Sequence, residues 1–571
     1  MYFPQLKALK QKAVTIASFG GLNRTAAAGK GEFAVMENMT SDAYPTLMPR
    51  PGRQLVTTTG CSGMIAKDAL CYVNESAFII NGYPVEMGLT PGEKQLVSMG
   101  AYVVIFPDKK YINTLDLTDH GSLEAIFTDY DGANISPCDR EGQILSDLIV
   151  SSETPQSPEN GQYWFDTAAG ILRQYSAATE SWVDDTGYLR IQATGIGTLF
   201  SVEDWVSLSG ITDPDLQKLN TATRICARGE DFVVIPGAVG GAAQLQPGQL
   251  KLERTVPDMD FVVEADNRLW GCRYGPDRNG RIVNELYACK LGDFKNWQCF
   301  GGISTDSYRV NLGADGPFTG AAVYLGQPVF FRENCLHKVY GSYPAEFRLQ
   351  TTACRGVQQG SGKSLALVDG VLYYKSPEGI CAYDGSLPVC ISQKLGKDRY
   401  HSAIAGGLGG KLYIAMTDRE NVPHIFVYDT QRKLWHREDS LPVRHFCACG
   451  EQLFAADGEG IWLFAGGEEG ETVEWMVQTG PIDGEDPRKR YVSRIVPRLL
   501  LETGSRVRFS VRYDGSGAWH MLGAVTGTGL RSFSLPLRTR RCDFMELRVE
   551  GRGKAKIYSL TLIKEQGSEL L

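Results

Sequence analysis

A chain of 571 residues with 43% hydrophobic and 10% aromatic content exceeds one ordinary core, so two to four domains are expected. No window approaches the run of about 18 apolar residues that a membrane helix needs, so membrane insertion is not expected. A formal net charge of −8 argues against general affinity for nucleic acid, and 64 glycines suit a turn-rich β architecture.

In chain order, residues 1–60 read as an extended docking arm rather than a domain. Val14–Phe19 is extended, Gly20-Gly-Leu-Asn23 is a turn, and Tyr44-Pro-Thr-Leu-Met-Pro-Arg-Pro-Gly-Arg53 is held by its prolines and glycines. Such an arm is ordered only by docking onto something else. The leading residues Met1–Lys7 lack the basic-then-apolar layout of an export signal. Folding in a cytoplasm, with reduced cysteines, is therefore expected.

Residues 61–125 and 257–467 carry one repeated pattern, a turn residue followed by two short apolar-aromatic strands. Gly370-Val-Leu-Tyr-Tyr374 is answered by Gly379-Ile-Cys-Ala-Tyr383, Gly410–Ile414 by His424–Tyr428, and Gly450–Phe454 by Gly460–Phe464. Looser copies begin at Asn267 and Gly326, and two more lie upstream, at Glu75–Ile80 and Gly100–Phe106. Starts forty residues apart, at 370, 410 and 450, match a four-stranded propeller blade. A blade has two apolar faces and must stack on its neighbours to cover them. The expected fold is all-β: a β-propeller of six or seven blades, with open sandwiches as the alternative.

Between 126 and 256 the rhythm stops, and a small inserted β-barrel or sandwich domain is expected. Its aromatics Tyr163, Trp164, Tyr175 and Trp182 either form a sugar-stacking platform or the core of that small domain. Residues 468–571 alternate apolar with polar or basic positions, as in Arg506-Val-Arg-Phe-Ser-Val-Arg512, which reads as a C-terminal β-sandwich-like domain. From Glu471 onward 17 basic residues face 12 acidic ones. The clusters Arg488, Lys489, Arg490 and Arg538, Arg540, Arg541 are candidate partner-binding patches, or else a solvated β face.

Signals for chemistry are few. Gly360-Ser-Gly-Lys-Ser364 lacks the glycine that a phosphate loop needs at position 357, which is Val, and the following Leu365–Val368 is strand-like. The 14 cysteines include no Cys-x-x-Cys pair, and the seven histidines have no metal-site spacing. No catalytic residue, metal or cofactor is expected. Asp384, Asp457 and Glu459 sit at blade turns, where a glycosidase would need two carboxylates about 5–9 Å apart. Each lies in a glycine turn that favours Asp or Glu for backbone reasons.

The sequence Phe19-Gly-Gly-Leu-Asn23, then Glu37-Asn-Met-Thr40 and Tyr44-Pro-x-Leu-x-x-Arg50-x-Gly-Arg53, ahead of propeller repeats, resembles the start of tail structural proteins of tailed bacteriophages. The type it is most similar to is the β-propeller tail nozzle or head–tail stabilisation protein of short-tailed phages. That resemblance implies a non-enzymatic virion protein of the tail, assembled in the host bacterial cytoplasm. It implies a homo-oligomeric ring, a hexamer by preference, contacting the portal or connector and other tail proteins. Such a ring seals the packaged genome and forms part of the ejection conduit, through which DNA passes without specific binding. The alternatives are a receptor-recognition protein of the tail that binds a host surface glycan, and a propeller glycoside hydrolase.

Overall fold

The computed structural model describes residues 11–277, 280–313, 316–467, 470–482, 490–538 and 542–566. Among the described residues regular structure is strand, apart from four single turns of 3₁₀ helix.

Seven antiparallel four-stranded sheets follow one another around a ring. Blade 1 spans residues 63–86, blade 2 95–122, blade 3 261–311, blade 4 320–353, blade 5 366–390 and blade 6 401–437. Blade 7 takes three strands from residues 445–465, and its fourth is Gln54–Thr57, which pairs antiparallel with Ile461–Ala465. The first strand of each blade lies innermost against that of the next. The turn Gly362–Ser364 completes the contact between blades 4 and 5, and blade 7 returns to blade 1, so the ring is closed. Residues 54–57, assigned to the arm from sequence, thus belong to the ring itself.

The two middle strands of a blade are covered on both faces. Val371–Lys375 and Lys411–Thr417 are almost wholly buried, and so are Phe330 and Phe331 of blade 4. Burying each such large apolar side chain contributes about 1.5–3 kcal/mol, which no isolated blade could collect. The hairpins joining first and second strands are tight. Asp266-Asn267, Leu325-Gly326, Asp369-Gly370 and Gly409-Gly410 all have both residues at positive φ. That is the geometry whose twist matches antiparallel strands.

Between blades 2 and 3 the chain leaves the ring to build a lobe. One sheet runs Ala125–Thr128, Lys251–Arg254, Trp205–Ser209, Ala222–Arg224, and a second is centred on Phe232–Pro236, Tyr188–Gln192 and Asn134–Cys138. They share one core of Ile135, Leu189, Ile191, Leu208, Val233 and Leu252. A small sheet, Ile149–Ser151, Tyr163–Asp166, Ile171–Ser176 and Ser181–Asp185, is added to this sandwich.

Both ends of the chain combine in a second sandwich. Gln11–Ile16 pairs with Ala555–Gln566, which pairs with Arg490–Leu501. The facing sheet runs Gly21–Leu22, Glu32–Glu37, Glu474–Thr479, Met545–Arg552, Arg506–Tyr513, Ser516–Thr526. Its core, with Phe33, Trp475, Phe509 and Leu547, is continuous with Trp435 and Phe426 of blade 6.

The arm joins sandwich to ring through buried polar contacts. Arg53 donates to Glu438 and Asp439 at 2.6 Å each and stacks over Phe464 of blade 7 at 3.8 Å. Ser41 donates to Asp429 at 2.6 Å, and Lys411 to Thr40 at 2.8 Å and to Asp42. Two glycines admit no side chain here. A Cβ on Gly21, at φ 75°, would lie 2.5 Å from the Trp435 carbonyl oxygen, and one on Gly52 2.2 Å from that of Glu471.

Candidate functional site

Each inner strand starts at the same end of the ring, and the connectors that lead into them gather around the axis. Glu93 precedes blade 2, Lys363 lies in the turn before blade 5, and His445 opens blade 7. These three, far apart in sequence, meet at the mouth of the ring. The Lys363 ammonium pairs with Glu93, donates to the Arg444 carbonyl at 3.3 Å and lies 3.5 Å from His445 Nε2. That nitrogen is 3.4 Å from Glu93 Oε2.

Burial and the adjacent Lys363 charge hold the His445 imidazole down to about 4, so it is neutral at physiological pH. Lys363 and Glu93 stay partly in water, with side chains 42% and 59% exposed. Cys61, on the connector into blade 1, feels both charges, and burial pushes its thiol up to about 11. A protonated thiol is a poor nucleophile. The cluster is therefore an ion pair set across the axial mouth beside a neutral imidazole, able to hold connectors together or to meet a polar partner. Among the described residues no group of His, Cys, Asp and Glu has the arrangement of a metal site.

The turn carboxylates do not converge. Asp384 follows the third strand of blade 5 and Asp457 the second strand of blade 7. Successive strands run in opposite directions, so the two turns lie at opposite ends of the ring. Asp384 accepts from the backbone N–H and hydroxyl of Ser386. Asp457 accepts from Glu459 N, Gly460 N and Trp462 Nε1. Both are spent on their turns, and Glu459 is exposed.

Of the four lobe aromatics, three share a face and one does not. Trp164, Tyr175 and Trp182 pack edge to face with ring centroids 5.4 Å apart, whereas Tyr163 points to the opposite face of the small sheet. Trp164 is 2% exposed, and its indole N–H is taken up by the carbonyl and hydroxyl of Ser151, so it is core and offers no sugar a surface. Tyr175 and Trp182 are half-buried beside Arg173, which bridges Asp166 and Asp184. Of the basic clusters, Arg488, Lys489, Arg540 and Arg541 lie outside the described residues, as does the side chain of Arg490. Arg538 is exposed.

The axial cluster is not visible in the sequence, where Gly360–Ser364 resembles only a broken phosphate loop. Aligning the repeats on their inner strands brings Glu93, Lys363 and His445 to equivalent places, within three residues of a strand start.

No family model matches the chain, and no curated protein does. Among solved structures it is similar to an exo-β-1,3-galactanase from Phanerochaete chrysosporium, at 8% identity and TM-score 0.23, over 53% of this chain and 94% of that one. It is also similar to PorZ, a bacterial surface component of the type-IX secretion system of Porphyromonas gingivalis, at 11% identity and TM-score 0.27, over 88% and 71%. A third is the WD40 domain of Toxoplasma gondii coronin, at 9% identity and TM-score 0.21, over 75% and 88%. At such identities and TM-scores, none assigns an activity, a substrate or a partner to this chain. What stands is the architecture: an all-β chain with a β-propeller at its centre.

Proposed function

We propose that this chain is a structural protein of a tailed-phage virion, built into the tail as a ring of copies, six by preference, beneath the portal. It would seal the packaged genome and line part of the ejection path. The observation that carries the reading is the course of the arm. The residues that bear the phage-like resemblance are the ones woven between propeller and sandwich. Phe19, Leu22 and Met39 enter the common core, Gly21 and Gly52 allow close backbone approach, and Arg50 and Arg53 carry the buried ion pairs. Tying both chain ends and the ring closure into one body suits a part that bears load. A chain of net charge −8 has few spare cations to hold DNA in passage, because sustained phosphate binding needs cations that release counterions.

The test is sedimentation and negative-stain imaging of the purified chain, alone and with portal and connector proteins of a candidate phage. Closed rings that bind the connector support the reading. A chain that stays monomeric and binds neither portal nor connector sinks it. Turnover of a polysaccharide, or selective glycan binding lost in Trp182→Ala, would replace it with a hydrolase or an adsorption protein.

A further inference from the structure

The two bodies attached to the propeller carry opposite charge. Residues 125–254 hold 18 Asp and Glu against 8 Lys and Arg, a deficit larger than the net −8 of the whole chain. Within 129–185, the small sheet and the loops around it, the ratio is 11 to 2. Glu141, Asp147, Glu153, Glu159, Glu180 and Asp184 are all exposed there. Of the two cations, Arg173 is already engaged by Asp166 and Asp184.

The terminal sandwich is the reverse. Strand register puts Arg506 opposite Arg552, Arg508 opposite Glu550, Ser510 opposite Arg548 and Arg512 opposite Glu546, all on one face. Glu550 and Glu546 pair with Arg508 and Arg512 at 2.7 and 2.6 Å. Among the described residues no carboxylate closes an ion pair with Arg506, Arg548 or Arg552, although the register sets the exposed Glu474 opposite Arg552 from the neighbouring strand; Arg506 and Arg552 are exposed. Like charges directly opposite in a ladder are destabilising. Glu474 offsets Arg552 from one side, but the ladder neighbours of Arg506 are Thr526 and Arg552, so an outside anion would relieve it. At its centre the Trp519 ring lies under two guanidiniums, Arg512 at 4.8 Å and Arg548 at 4.1 Å. Arginine and tryptophan are the residue types that dominate binding hot spots.

The propeller holds these bodies apart. The acidic lobe leaves the ring between blades 2 and 3, and the sandwich is seated on blade 6. Blades 3, 4 and 5 separate them on one side and blades 7, 1 and 2 on the other. Within one chain they stand on opposite rims and cannot neutralise each other. Between chains they can.

We propose that copies associate head to tail, the acidic small-sheet lobe of one copy against the arginine-lined sandwich face of the next. Such a contact is heterologous, and heterologous contacts generate rings when the rotation between copies closes. The inference rests on the ring reading above and names the surfaces that build it.

Sedimentation velocity of the full chain from about 50 mM to about 500 mM salt tests it, since contacts between exposed charges are screened over that range. Two variants are compared: Arg506→Glu with Arg552→Glu, and Glu153→Lys with Glu159→Lys and Glu180→Lys. Each alone is expected to weaken self-association at least tenfold, and mixing the two restores it, which also rules out misfolding of either. Assembly that survives both variants overturns this interface and leaves the ring reading standing. A chain that is monomeric at every salt and concentration overturns both. Duplex DNA binding lost in the arginine variant, with self-association unchanged, reassigns that face to nucleic acid and overturns the proposal.

Discussion

The inserted lobe and the terminal sandwich are both sandwiches attached to one ring, yet they are attached in opposite ways. The lobe stands on a stalk of two paired strands, Ala125–Thr128 and Lys251–Arg254, which leave and rejoin the ring side by side. Arg254 donates to the Leu123 carbonyl at 3.0 Å, and Lys109 to that of Val256 at 2.7 Å. Its core is its own. The sandwich has no stalk. It is assembled from both chain ends, shares its core with blade 6, and is tied to ring closure by the arm that carries Arg50 and Arg53. The lobe is a passenger of the ring, whereas ring and sandwich are one cooperative body.

The largest effect that can break this comparison is expected from Arg53→Ala. It leaves the buried Glu438, at 6% side-chain exposure, to Arg50 at 3.8 Å and should cost about 3–5 kcal/mol in urea unfolding. Ring and sandwich should lose stability together, while the lobe core keeps its hydrogen-exchange protection. Protection lost in all three bodies at once would refute the distinction. Asp204→Ala is the converse. Asp204 is buried between Arg254 of the lobe and Asn296 of blade 3, so its loss should cost about 3 kcal/mol, read as faster proteolysis where the lobe meets the ring, with the sandwich unaffected.

Acid should separate the bodies further. Burial holds His337, His436 and His445 down to about 4, and for His436 the Lys411 ammonium adds to it. Above pH 6.5 these imidazoles are neutral folded or unfolded. As pH falls from 6.5 toward 4 the unfolded chain takes up protons that the folded chain refuses, so stability drops by on the order of 3 kcal/mol per histidine. All three lie in the ring, and residues 125–254 contain no histidine. His436→Gln should flatten the acid limb of ring stability, measured by urea midpoints between pH 7 and 4. An unchanged slope would show that this imidazole does not contribute. The smallest effect is a gain. Leu325 sits at φ 52° in a hairpin turn with 74% exposure, where Asn is better tolerated. Leu325→Asn should raise ring stability by about 1 kcal/mol and leave the lobe unaffected, as read by thermal melting.

The ring was legible because its signal is local. A two-residue turn, an apolar strand and a second strand recur within each blade, and the physics of an uncovered blade does the rest. One copy falls a strand out of place. The sequence makes Glu75–Ile80 the head of a repeat, but the second strand of blade 1 is Ala69–Asn74, entered through Asp68 at φ 56°. Glu75 at φ 51° gives the same turn signal one hairpin later. What was not legible is what depends on distant pairing. Nothing in Gln54-Leu-Val-Thr57 announces that it completes a blade some four hundred residues on. Glu93, Lys363 and His445 meet only once the ring has closed. The lobe aromatics were visible as a group, but which of them face each other depends on strand parity, and that set Tyr163 apart from the other three.

The Gln54–Thr57 strand also has a consequence in time. Its partner, Ile461–Ala465, is synthesised some four hundred residues later, about 20–80 s at ordinary elongation rates. Gln11–Ile16 must wait until Ala555–Gln566 has left the ribosome. For nearly all of its birth the nascent chain therefore trails an oily leader, with Phe19, Leu22 and Phe33 uncovered, that has nowhere to go. A holding chaperone is the natural guardian of that interval, and shortening it by circular permutation at the lobe should raise soluble yield.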